Sequence, residues 1–93
     1  MFVKLHRIHN DTSGGYYITE VLVNVSHITY IRENANLKTK LREGKINIGL
    51  NPSAEFTDIV LNSKATDDVI SVIGSVHLVE SKISRSSKTL LKG

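Results

Sequence analysis

Cysteine and tryptophan are absent from this 93-residue chain, and it holds one proline, one methionine, three tyrosines and two phenylalanines. Without cysteine there is no disulfide framework, no thiolate metal site and no thiol chemistry. With so few aromatics the core must be built from Val, Ile and Leu, residues that favour strands. No apolar run approaches the roughly 18 to 20 residues that span a bilayer, so no membrane partner is expected. The start, Met1 to Arg7, alternates apolar and polar residues, unlike the continuous apolar stretch of a secretory signal. The expected compartment is the cytoplasm.

Catalytic signatures are missing as well. There is no Gly-x-Ser-x-Gly elbow, no phosphate-binding Gly-x-x-x-x-Gly-Lys-Ser/Thr loop and no Gly-x-Gly-x-x-Gly fingerprint. The expected protein is not an enzyme and uses no cofactor.

What is present is a chain of 40% apolar residues and mean hydropathy −0.10, the size of one domain with a modest core. A core this small gains from burying a strand edge against a second copy, so a homo-oligomer is expected. Charge is unevenly placed. Lys82, Arg85, Lys88 and Lys92 give residues 81–93 four positive charges and no acid, against a total of +3 for the chain. The division is therefore a near-neutral β-rich domain over 1–80 and a basic, mobile tail over 81–93, suited to phosphate-rich or acidic surfaces.

Alternation predicts a first strand over Phe2–Ile8, with Val3 and Leu5 on one face and Lys4 and His6 on the other. Asn10 to Gly15 is a turn cluster. A second strand, Tyr16 to Val25, is apolar on much of both faces and is expected to be central. The pattern slips at Ser26-His27 before a short third strand over Ile28–Ile31. Leu37–Arg42 and Lys45–Leu50 flank Glu43-Gly44 as a two-residue hairpin, pairing Leu41 with Ile46 and Leu37 with Leu50. Asn51 to Ala54 turns the chain into a fifth strand at Phe56–Leu61. Thr66 as cap, Asp67-Asp68 near an N-terminus and Val69, Val72, Ile73 and Val76 at helical spacing predict a helix over 67–77, with β-branched content that also suits a strand.

His6 and His9 fall on opposite faces of the first strand, which disfavours a shared metal, and Asp67-Asp68 is better explained by a helix cap than by acid-base chemistry. The hairpin offers more. One of its faces collects Lys38, Lys40, Arg42 and Lys45 beside Asn47 and Gly49, a strip able to neutralise phosphates and admit a sugar or base. Like charges on one face gain most when something anionic binds. Base stacking would fall to Tyr16, Tyr17 or Tyr30, and Lys82, Arg85 and Lys88 of the tail would assist.

Two resemblances bear on this reading. Met1–Arg7, Val23–Ile31 and Val60–Ser63 leading into Asp67–Ile70 resemble, in pattern, the small flagellar FlbD-type proteins, which implies protein interaction rather than catalysis. Lys45–Pro52 resembles the Ile-Gly-Val-Asn-Ala-Pro strand end of the carbon storage regulator family of dimeric RNA-binding repressors. That resemblance implies an RNA contact at Arg7, although Ile59-Val60-Leu61 lacks the arginine that the family carries in its last strand.

The fold expected is α+β, a small antiparallel sheet or half-closed barrel of about five strands with one C-terminal helix and a basic tail. The function expected is a regulatory module binding RNA or DNA through the basic hairpin face. The alternatives are an adaptor or inhibitor on an acidic protein surface, or an assembly subunit driven by an apolar sheet edge.

Overall fold

A computed structural model describes the backbone of residues 1–63 and 66–92 and the side chains of residues 1–62 and 68–86. The elements run β1 (Phe2–Asn10), β2 (Tyr16–Asn24), a 3-10 turn (Val25–His27), β3 (Ile28–Glu33), α1 (Ala35–Arg42), β4 (Phe56–Ser63), β5 (Thr66–Ile73) and α2 (Val76–Lys92). The five strands form one sheet of order β2-β1-β5-β4-β3, every pair antiparallel. The class is α+β.

The early alternation holds. β1 and β2 pair from Phe2 with Asn24 to Asn10 with Tyr16, and Val3 and Leu5 are buried while Lys4 and His6 are exposed. The turn between them is organised by Asp11, whose Oδ1 accepts from the Ser13 N–H, the Ser13 hydroxyl and the Gly15 N–H. β2 and β3 stand at opposite edges, yet only Val25–His27 joins them. In a flat sheet four spacings of about 4.8 Å would hold these strands about 19 Å apart. The four residue steps from Asn24 to Ile28 reach only about 14 Å. The sheet therefore curls, with both edges still unjoined.

The curl gives the sheet two differently covered faces. Phe56 and Ile59 lie an odd number of positions apart on β4 and so face opposite ways. Ile59 joins Val3, Leu5, Val23, Ile70 and Val72 beneath Val79 of α2, with Ile83 packed alongside. Phe56 joins Ile8, Ile46 and Leu41 of α1, with Leu37, Ile48 and Leu50 alongside. The helices thus cover opposite faces.

The 37–50 hairpin expected from the sequence does not form. Asn34 caps α1 by accepting from the Leu37 N–H at 3.0 Å, and Leu37 and Leu41, four apart, face the core. The helix stops at Gly44, φ +76°, where the Gly44 N–H bonds the Leu41 carbonyl and the Lys45 N–H bonds the Lys40 carbonyl. Most of the helix expected over 67–77 is the strand β5, which runs to Ile73, and only Val76 and His77 are helical, at the start of α2. β5 is the middle strand, with Ile70 and Val72 in the α2-side core and Ile73 against the α1-side core, so its apolar residues fall at positions that also fit a helix. β2, expected to be central, is an edge. The boundary placed at residue 80 lies within α2, which continues through Lys92, so there are two helices rather than one.

Candidate binding surfaces

The residues expected to form one flat basic strip are distributed around α1 and the loop that follows it. Lys38 is half-buried, its Nζ 3.1 Å from Glu55 and 3.7 Å from Glu33. Lys45, beyond the helix stop, pairs with Glu43 at 3.2 Å. Lys40 lines a cleft with His9, Tyr16 and Asn36, whereas Arg42 is exposed, and neither has an acidic partner among the described residues. Asn47 is exposed in the loop that follows. Lys82 and Arg85 belong to α2 and line a groove with Val3, on the sheet face opposite α1. Lys88 lies outside the described side chains. Lys38 and Arg42, four apart, share one side of α1, whereas Lys82 and Arg85 stand on α2 across the sheet.

Tyr17 and Tyr30 are exposed, but Tyr17 stacks on His9 at 4.6 Å and Tyr30 lies 5.9 Å beneath the Arg32 guanidinium. Tyr16 packs into the α1-side core. His6 and His9 do point to opposite faces: His6 approaches Glu20, and His9 meets the Thr19 hydroxyl at 2.7 Å. Among the described residues no three His, Asp or Glu side chains gather as metal ligands. No helix there is long and apolar enough to cross a membrane.

A different surface stands out at β2. The Val25 N–H donates to the Met1 carbonyl, which fixes the alternation of antiparallel bonding. Odd positions of β2 bond to β1, and the N–H and C=O groups of Tyr16, Ile18, Glu20 and Leu22 point outward. None of these has a backbone partner among the described residues. Leu22 is 66% exposed and Phe2, diagonally across on β1, is 60% exposed. The strand has no lysine, proline or bulge to discourage pairing, and its one charge, Glu20, is met by Lys4 at 3.8 Å and His6 at 3.9 Å. The opposite edge, β3, is shorter, irregular near Thr29, and carries Arg32 and Glu33.

The curl also encloses Arg7. Its Nε is the one buried side-chain nitrogen or oxygen without a hydrogen-bond partner among the described residues. A buried donor left unpaired costs about 1–3 kcal/mol, and more when charged. No sequence pattern marks this cavity, because the residues around Arg7 come from β2, β4 and β5 and meet only through the curl. The apolarity of β2 was visible, and it marks an exposed edge where a central position was expected.

Comparison with protein-family models, curated proteins and solved structures finds no match to this chain.

Proposed function

We propose that this protein is a non-enzymatic cytoplasmic assembly module that works by pairing its β2 edge antiparallel with β2 of a second copy. The observation that carries the reading is a nine-residue strand, apolar on both faces, at a sheet edge with one side of its backbone unpaired. In the second half of β5 such apolarity is buried on both sides, Ile70 and Val72 in one core and Ile73 against the other. On β2 it is left at Leu22 and Phe2, and burying one such side chain contributes about 1.5–3 kcal/mol. A twofold axis near Glu20 would set Leu22 opposite Ile18 of the second copy and join outward N–H and C=O groups along the strand. Lys4 and His6 accompany each Glu20, which lowers the repulsion between the two carboxylates at the axis. The protein interaction implied by the FlbD-type resemblance agrees in class.

Nucleic-acid binding is the weaker reading, since its rigid basic strip has been replaced by a helix whose Lys38 is committed to two glutamates. Sedimentation equilibrium tests the proposal. The wild type is expected at twice the 10.3 kDa chain mass and Leu22→Lys at the monomer mass with unchanged circular dichroism. A wild type that stays monomeric into the millimolar range ends the proposal.

A further inference from the structure

The curled face of the sheet holds a cavity of about 250 Å³ with Arg7 in its wall. Val21 and Val23 of β2, Leu61 of β4 and Ile70 of β5 make its apolar side, while Asp68 and His27 stand on its exposed side. The Arg7 side chain meets no hydrogen-bond or ion-pair partner among the described residues, and its Nε is shut off from solvent. A guanidinium presents N–H donors in a planar fork that fits a carboxylate with two parallel bonds. The apolar walls suit a hydrocarbon body on the same ligand. Asp68 on the rim disfavours a doubly charged anion such as phosphate, and the cavity is too small for a long acyl chain. We propose that this cavity binds a small monocarboxylic acid with a short branched body, its carboxylate on Arg7 and its hydrocarbon against Val21, Val23, Leu61 and Ile70. The proposal rests on the cavity and not on β2 pairing, although Leu22 and Asn24 of the β2 edge also line it.

The probe is isovalerate, added to the full chain and followed by calorimetry and by amide chemical shifts, with isovaleramide and inorganic phosphate as comparators. Isovalerate is expected to saturate and to move the amides of Arg7, Val23 and Ile70, with isovaleramide and phosphate each weaker by about tenfold or more. Arg7→Met is expected to abolish the binding. Asp68→Asn, at an exposed position that leaves the core intact, is expected to tighten it several-fold, and this test holds even if Arg7→Met fails to fold. No saturable binding of isovalerate, equal binding of isovaleramide, or an affinity indifferent to Asp68→Asn overturns the proposal.

Discussion

The Asn34 side chain donates through Nδ2 to Asp58 Oδ1 across 2.9 Å, while its own Oδ1 accepts the Leu37 N–H at 3.0 Å. One amide thus starts α1 and ties it to β4, 24 residues away in sequence. Asp58 is nearly buried, and the Ser71 hydroxyl of β5 donates to the same oxygen at 2.7 Å. Arg32 stands 3.8 Å from the other.

Substitutions at Asn34 should therefore separate two contributions. Asn34→Ala removes the cap, worth about 1 kcal/mol, and one donor to a buried carboxylate, worth about 1–3 kcal/mol. Asn34→Ser keeps a capping oxygen and loses only the donor. Urea denaturation is expected to rank wild type above Ser above Ala, with Ser and Ala about 1 kcal/mol apart. Equal losses for the two variants would show that the cap contributes nothing.

The same residue explains what sequence could and could not reveal. The first three strands, the Asp11 turn and β4 follow from local alternation and turn chemistry, and they are where expected. Residues 37–42 fit both periods, since Leu37, Thr39 and Leu41 alternate while Leu37 and Leu41 are also one helical turn apart. Glu43-Gly44 serves either a hairpin or a helix stop. The choice is made by Asn34 and its distant partner Asp58, which no local window contains. β5 was obscured for another reason: Ile70 and Val72 face one core and Ile73 the other, and apolar residues on both sides blur the alternation that identifies strands at a surface. The basic strip fell with the hairpin, whereas the apolar excess of β2 was legible and only its placement was not.

The two glycines that end α1 and β5 should differ in their tolerance of a side chain. Gly44 has φ +76° with open space where a methyl group would go, so Gly44→Ala carries the left-handed backbone penalty alone, about 1–2 kcal/mol. Gly74 has φ +131°, and an added Cβ would lie 3.2 Å from Leu78 Cδ2. Its N–H donates to the Glu55 carbonyl and its own carbonyl accepts the Thr57 hydroxyl, so the backbone there has little freedom to relax. Thermal unfolding is expected to show a larger fall for Gly74→Ala than for Gly44→Ala.

Asp11 gives a pH dependence whose sign is fixed by its hydrogen bonds. The Ser13 hydroxyl foremost, then the Gly15 N–H, hold its carboxyl below the usual carboxylate range, with desolvation opposing them and the Ser13 N–H adding least. A depressed folded-state value means that the contribution of the turn is present above the unfolded value and is lost as pH falls through the folded one. Carboxyl NMR titration should place Asp11 below the usual carboxylate range. Ser13→Ala is expected to raise it, and an unchanged value would remove Ser13 as the main cause.

The C-terminal segment decides between a basic tail and a structural helix. Val79 is 1% exposed in the core with Val3, Leu5, Ile59 and Val72, and Ile83, one turn later, packs against the same cluster. That places the anchor of α2 on both sides of residue 80. Val79→Ala removes two buried carbons and is expected to lower stability by about 2 kcal/mol. Ending the chain at residue 80 removes Ile83 and most of the helix, so it should also lower the unfolding temperature and expose Val3 and Ile59. Ser84→Ala, at an exposed helical position, should change neither. Hydrogen exchange adds an independent reading, since amides from Lys82 to Ser86 should be protected in the wild type and lose protection in Val79→Ala. If the shortened chain unfolds at the wild-type temperature, residues 81–92 are an appendage and their charges belong to a tail after all. A loss of stability makes them part of the fold, and Lys82 and Arg85 then sit at fixed places on the face opposite α1.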